Sequence, residues 1–397
     1  MNTRYDVVVI GAGPAGLMAG WVCARAGLSV LMVEKDKQVG WPVNCAEAVP
    51  GRSFEKIIRP RPAWIKTQVE RGRLVAPGGR YFDLKYHKAG YVLDRLRMEQ
   101  DLAEEFKASG GELACACRAE NINIKGERFN TLSLVTNGNN VEHVTADIFI
   151  AADGVEGTIA RTAGINNRYS LDETESLLQY QLAGVNIEKD MLEFYVGNNI
   201  APGAYAWVFP CGEDIANVGL GMQCDSNRRL KVSAYLEKFI KNRFGKALIV
   251  RKSGGTCPRY QGRRILARGN LLVVGDAARV LDSLSGAGIV NALLSGQIAA
   301  GAAIAFVKKE IKTIRELHDL YPRQFLDIKH HELTMYLKIK KFMVKLSDYE
   351  LDDLVQALDE YFVEKNLDSF NPVIIILGVI KKRPRLIKMA RHLFYKR

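Results

Sequence analysis

Apolar positions fall into two kinds of pattern along the chain. Tyr5 to Ile10 is a compact β-branched run, the signature of a strand buried on both faces. Leu28 to Val33 is a second such run. Between them the chain is small and apolar, rich in Ala and Gly, which predicts a helix through Ala26 packed close on a sheet and ended by Gly27. Trp41 to Pro62 shows no period. Helical spacing resumes over Leu93–Ser109 and is broken by Gly110-Gly111. Strand-like stretches follow at Glu112–Ala116, Phe129–Thr136 and Val144–Ala151, then an Asp153-Gly154 turn. From about Thr174 to Gly221 the period is two with no long helix, which predicts a separate antiparallel sheet. A helix is expected over Leu230–Phe244, a buried strand over Asn270–Gly275, and a long small-residue helix over Ile289–Lys308. Residues 310–397 carry many Lys among Leu, Ile and Phe at helical spacing.

Composition narrows the class. With 397 residues and 48% hydrophobic content, the chain can bury a sizeable core in more than one domain. The net charge of +12 points to an anionic partner, a phosphorylated substrate or an acidic membrane surface. Nucleic acid ranks last, because no zinc-finger spacing and no aromatic–basic signature occurs. Seven cysteines without a CxxC pair argue against a disulfide framework or a zinc site, so no metal is expected, and a reducing cytoplasm is the natural location. No charged-then-apolar leader opens the sequence. Val373 to Ile380 is too short to span a bilayer, which takes roughly 20 residues.

The run Val9-Ile10-Gly11-Ala12-Gly13-Pro14-Ala15-Gly16 places GxGxxG between a strand and a helix. Gly11 allows the tight turn, Gly13 lets a pyrophosphate approach the backbone, and Gly16 lets helix and strand touch. The helix N-terminus then offers free N–H groups to phosphate. Glu34 ends the second strand, where a carboxylate accepts from ribose hydroxyls and repels a 2′-phosphate. By itself this motif serves FAD or NAD.

Further residues decide for flavin. Leu271–Asp276 is a strand ending in Gly-Asp, and Ser285-Gly286-Ala287-Gly288-Ile289 opens the long late helix. With GxGxxG, Asp153-Gly154 followed by Arg161, and Gly275-Asp276, the chain resembles the flavoprotein class of para-hydroxybenzoate hydroxylase. That resemblance implies FAD contacts at Gly11, Gly13, Ala15, Gly16 and Glu34. It implies Asp276 on the ribityl chain and the N–H groups of Gly288 and Ile289 at the isoalloxazine edge. Arg95, at a helix start, would meet the flavin side chain or pyrophosphate. Ala119, read as ending the next strand, would bring backbone near the adenine.

Tyr205, Trp207 and Phe209 alternate in Tyr205-Ala206-Trp207-Val208-Phe209-Pro210, so their side chains share one strand face. After eight intervening residues comes Gly219-Leu220-Gly221. An aromatic wall beside a glycine strand suggests open space for a long, thin hydrocarbon. The run resembles the signature of the geranylgeranyl reductase family, and Gly40-Trp41-Pro42-Val43-Asn44-Cys45-Ala46-Glu47 is similar to the cysteine-bearing flavin loop of its archaeal members. The likeness covers residues 1–300. It implies FAD contacts at Cys45, Ala46 and Ala48, and substrate contacts at Tyr205, Trp207, Phe209, Gly219 and Gly221.

The expected activity is then FAD-dependent saturation of isoprenoid double bonds in digeranylgeranylglycerophospholipids, a step of archaeal membrane lipid synthesis. A hydride leaves reduced flavin, and Cys45, or a water near it, is the candidate proton donor to an alkene that no carbonyl activates. The alternatives are an FAD-dependent aromatic monooxygenase and a flavin-linked electron-transfer protein. An external donor is required, reduced ferredoxin or NADPH. The expected partners are thus a polyprenyl lipid and that donor. Asn371–Arg397 joins an apolar run to a dense basic tail, which suits either peripheral contact with an anionic membrane at the inner face or a terminal helix packed on the protein. The expected architecture is α/β: a discontinuous Rossmann-type FAD-binding domain (1–170 and 255–308), an antiparallel-sheet substrate domain (171–254 with part of 60–92), and a C-terminal helical region (309–397).

Overall fold

The computed structural model describes residues 2–365 apart from 127, 137–139, 166–169, 225–230 and 263–264; of 86–88, 172 and 363–365 only the backbone is described. The basic tail from Asn371 to Arg397 lies outside the described residues. The chain divides into two compact units. One takes Met1–Val43, Asp94–Tyr169 and Pro258–Thr334, the other Asn44–Leu93, Ser170–Cys257 and Met335–Arg397.

The first unit is built on a parallel sheet. Strand Arg4–Ile10 lies at its centre, between Val30–Val33 and Val141–Ala151, with Glu112–Ala114 and Leu271–Val273 outside these. Val7 pairs in parallel with Val30 on one side and Ile148 on the other. Both faces are covered, which is why the central strand reads as unbroken Val and Ile rather than as an alternation. Helix Pro14–Arg25 runs back over the sheet, and Gly27 follows it at φ 83, the left-handed stop that glycine permits. The late helix Ile289–Val307 packs on it so closely that a Cβ at Gly296 would overlap the Ala15 carbonyl. This late helix is 19 residues long and apolar enough to cross a membrane by composition. Its Ala, Ser and Gly positions are instead mostly buried within the protein, as a core helix requires.

The strands after Gly111 differ from the expected three. There are four: Glu112–Ala114, Arg118–Lys125, Arg128–Val135 and Val141–Ala151. The missed one reads Arg-Ala-Glu-Asn-Ile-Asn-Ile-Lys, too polar for its period to register, and it forms antiparallel pairs with Arg128–Val135. Ala119 therefore sits near the start of a strand rather than at the end of one.

The second unit carries an eight-stranded, mostly antiparallel sheet. In spatial order its strands are Leu248–Pro258, Thr174–Ala183, Ile215–Gln223, Ala206–Pro210, Met191–Tyr195, Ile65–Val75, Tyr81–Leu93 and Ala48–Pro50. Met191–Tyr195 and Ile65–Val75 pair in parallel within it. Ile65–Val75 and Tyr81–Leu93 form a long hairpin that hydrophobic pattern alone does not announce. Polar positions dominate it and are tied by ion pairs, Arg73 to Asp83 and Arg71 to Asp190 and Glu188. Helix Val232–Phe244 closes a core of Leu182, Val208, Val218, Leu220 and Leu236. Helix Asp348–Lys365 brings Phe362 to within 4.7 Å, ring centroid to centroid, of Phe82.

Candidate functional site

The nucleotide loop behaves as its glycines require. Gly11 has φ 100, and a Cβ there would strike the Ala152 backbone. A Cβ at Gly16 would overlap the Gly11 carbonyl, so helix and turn touch at that point. Gly13 is the opposite case. Nothing lies within 4 Å of where its Cβ would be, leaving a bare backbone that a pyrophosphate can approach. Pro14 opens the helix and no side chain caps it, so its first N–H groups remain available. Glu34 is locked in place: one carboxylate oxygen accepts from Ala12 N–H at 2.7 Å and the other from Asp36 N–H at 2.9 Å. Cys117 N–H donates to the Glu34 carbonyl at 2.9 Å, which brings the strand bearing Ala119 to the Glu34 side.

The remaining cradle residues of this unit converge. Gly275, at φ 62, stands so close to Ala15 that a Cβ would lie 2.9 Å from the Ala15 methyl. A Cβ at Gly288 would lie 3.3 Å from Asp276 Oδ1, so Gly-Asp and the late helix start are neighbours. That helix start carries no side-chain cap either. The Asp276 carboxyl is pushed up by burial, with the Arg95 guanidinium pulling the other way. Among the described residues none hydrogen-bonds its carboxyl oxygens, whereas its backbone carbonyl accepts from Arg279 N–H at 3.0 Å. Arg95 is itself aimed by Glu99, which accepts from its Nε at 2.7 Å. Asp153 Oδ1 is likewise buried without a hydrogen-bond partner, while Oδ2 accepts from Ile159 N–H at 2.8 Å, and burial pushes this carboxyl up too. Two uncapped helix starts, a bare glycine backbone and two under-satisfied carboxyls in one unit are what a hydroxyl-rich dinucleotide such as FAD would satisfy. Arg161, by contrast, is on an exposed helix face.

Cys45, Ala46 and Ala48 belong to the second unit, and they border a polar cluster that the sequence pattern did not single out. Its centre is Glu47, 1% exposed and held at φ 70, a left-handed backbone unusual for a residue with a side chain. That conformation turns its N–H onto Cys45 Sγ at 3.2 Å. The Glu47 carboxylate accepts from Lys66 Nζ at 3.0 and 2.8 Å and from Asn217 Nδ2 at 2.9 Å. Gln179 Nε2 donates to the Cys45 carbonyl at 3.0 Å, and Asn217 Nδ2 lies 3.4 Å from the Ala46 carbonyl. The Cys45–Ala46–Glu47 turn is therefore clamped from three strands. Cys211 adjoins the cluster, and its thiol is pushed up by burial.

The aromatic wall stands beside this clamp. Tyr205, Trp207 and Phe209 follow one another at centroid spacings of 5.9 and 6.3 Å, and Phe194 from the next strand meets Tyr205 and Phe209 edge-on. Trp207 and Phe209 pack with Val69, Val92, Leu177 and Ala46. The open space expected beside Gly219 and Gly221 is filled. A Cβ at Gly219 would overlap the Trp207 indole, and one at Gly221 would come within 2.9 Å of Leu177. Register explains this: Trp207, Gly219 and Gln179 form one row across three strands, and the indole crosses over the glycine to donate to Gln179 Oε1 at 3.0 Å. Phe209, Asn217 and Gln181 form the next row. Gly219 is thus the floor under the tryptophan. The clue to Asn217 and Gln179 was their shared strand face with Gly219, two polar residues where the period demands apolar ones.

Residues 173–257 match the geranylgeranyl reductase catalytic domain family, and residues 6–49 an FAD-binding domain family. The digeranylgeranylglycerophospholipid reductase of Methanosphaerula palustris is 36% identical over 98% of this chain and 97% of its own. That of Methanocaldococcus jannaschii is 36% identical over 99% of each. A geranylgeranyl bacteriochlorophyll reductase-like protein of Thermoplasma acidophilum superposes with a TM-score of 0.91 at 28% identity, covering 98% of this chain and 99% of its own. A cradle shaped for FAD and relatives of this similarity over the full length leave one assignment: the chain belongs to the digeranylgeranylglycerophospholipid reductase family of FAD-dependent geranylgeranyl reductases.

Proposed function

We propose that this protein saturates the isoprenoid double bonds of digeranylgeranylglycerophospholipids. The end-to-end likeness to reductases of that name carries the reading. FAD is the cofactor, and when reduced it supplies the hydride; Gly11, Gly13, Ala15, Gly16, Glu34, Arg95, Ala119, Asp276, Gly288 and Ile289 would hold it in the first unit, and the family likeness implies further contacts at Cys45, Ala46 and Ala48.

The protein's own part is orientation, dryness and a proton. An isolated alkene has no group to stabilise an anion, so hydride addition to one carbon needs a proton at the other at nearly the same time. Cys45 is the candidate donor. Glu47 N–H fixes its sulfur, and Lys66, Asn217 and Gln179 fix the turn that carries it. Of the aromatic wall, Trp207 and Phe209 are buried, and the half-buried Tyr205 is the member left to offer apolar contact to a polyprenyl tail. The surplus of basic residues suits the phosphate head, and electrons come from an external donor, reduced ferredoxin or NADPH.

The test is mass spectrometry of unsaturated archaeal phospholipid incubated with purified protein and dithionite. Mass gains in steps of two hydrogens are expected. An unchanged lipid, with oxygen consumption on an aromatic acid instead, would replace this reading by a monooxygenase.

A further inference from the structure

Strand Leu248–Pro258 is the outer strand of the second sheet, with a neighbour on one side only among the described residues. Its first three residues, Leu248, Ile249 and Val250, are 69, 43 and 55% exposed. Successive strand residues point to opposite faces, so three exposed in a row means that neither face is covered at this end. A bare strand edge of aliphatic residues costs solubility and invites association. Single exposed apolar residues need no account; a consecutive triplet on an edge does.

Charge says what covers it. From Lys238 to Cys257 the sequence has six Lys and Arg and no Asp or Glu. Arg243 is engaged by Glu193 at 3.0 Å. Lys238, Lys241, Lys246 and Lys252 are exposed and Arg251 is half-buried. A second copy of this chain pairing edge to edge would set these cations against each other. An anionic lipid surface accepts both parts: the aliphatic triplet enters the acyl boundary, and the lysines reach the phosphates with their stems lying along it.

We propose that Leu248-Ile249-Val250 and its lysine flanks are a docking surface for an anionic phospholipid bilayer. The proposal goes beyond the reductase reading and does not depend on it.

The holoenzyme is floated with vesicles of equal phosphatidylglycerol and phosphatidylcholine, and with pure phosphatidylcholine. The wild type is expected to float with the first and not the second. Replacing Leu248, Ile249 and Val250 together by Thr is expected to lower the bound fraction at least tenfold while FAD content stays unchanged. Lys241→Glu with Lys246→Glu, on exposed side chains that no fold contact needs, is expected to do the same and guards against misfolding of the first variant. Both variants floating like the wild type would overturn the proposal. So would a wild-type dimer in sedimentation velocity that the threonine variant abolishes while vesicle binding persists. Reduction of detergent-dispersed lipid, run in parallel, keeps the two readings apart: if the reductase reading fails, wild type and variants lose reduction alike and flotation is untouched.

Discussion

Replacing Lys66 by Met leaves the Glu47 carboxylate enclosed without its cation. Glu47 is 1% exposed, whereas the Lys66 side chain retains 23%. Breaking a fully buried pair by removing one partner costs about 3–5 kcal/mol. Two features reduce that here: Lys66 reaches solvent, and Asn217 Nδ2 still donates to the carboxylate at 2.9 Å. A loss of about 2 kcal/mol is expected, which lowers the melting temperature by roughly 4–8 °C for a unit of this size. Differential scanning fluorimetry on the purified holoenzyme measures it. The discriminating sample is Lys66→Met combined with Glu47→Gln, which removes the stranded charge and keeps most of the shape. The double variant should recover at least half of the loss, because a neutral pair of similar volume no longer buries an uncompensated anion. A Lys66→Met melting temperature within a degree of wild type, or a double variant that melts lower than the single, would show that the pair does not hold the Cys45 turn.

Gly219→Val drives a branched side chain into the Trp207 indole, so about 1–3 kcal/mol of stability should be lost together with a shift in tryptophan emission; unchanged emission would contradict the row geometry. Glu34→Ala removes the acceptor of the Ala12 N–H and the expected ribose contact, and flavin absorbance titration should show FAD affinity falling on the order of tenfold. Cys45→Ala should keep FAD content and lose single-turnover alkene reduction; full turnover would exclude the thiol as the acid. Asp276 gives a pH signature in the apoprotein. Its folded pKa is raised by burial, so the folded state keeps a proton that the unfolded chain has released, and stability falls as pH rises from the ordinary Asp value of 3.8 through the raised one. Asp276→Asn should therefore be more stable than wild type at pH 7, with the gap closing toward pH 4; a gap that widens on acidification would reverse the assignment.

The first unit was legible in the sequence because its constraints are local. Gly11, Gly13 and Gly16 act within six residues of each other, and a strand buried on both faces spells itself in Val and Ile. The strand Arg118–Lys125 escaped for the opposite reason: it is stabilised by antiparallel pairing with Arg128–Val135, and its own polar residues declare little. The cluster around Glu47 escaped because its meaning lies in register. Lys66, Gln179 and Asn217 are ordinary polar residues until three strands place them on one carboxylate and one turn. Glu47 itself, an acidic residue at positive φ amid Cys45, Ala46 and Ala48, has no local reason to be buried.

The same logic reverses the reading of the glycine strand. Sequence treats a missing side chain as space, but packing treats it as a place for a neighbour, and Trp207 takes it. An indole laid across a glycine and held by Gln179 has one rotamer, and Gln179 also donates to the Cys45 carbonyl. The aromatic wall and the cysteine turn therefore share a single amide, which fixes apolar surface and candidate proton donor in one geometry. Gln179→Leu tests that coupling. It should loosen both ends at once, seen as a changed tryptophan emission together with a fall in alkene reduction larger than the fall in FAD content, and loss of only one of the two signals would mean that the wall and the turn are positioned separately.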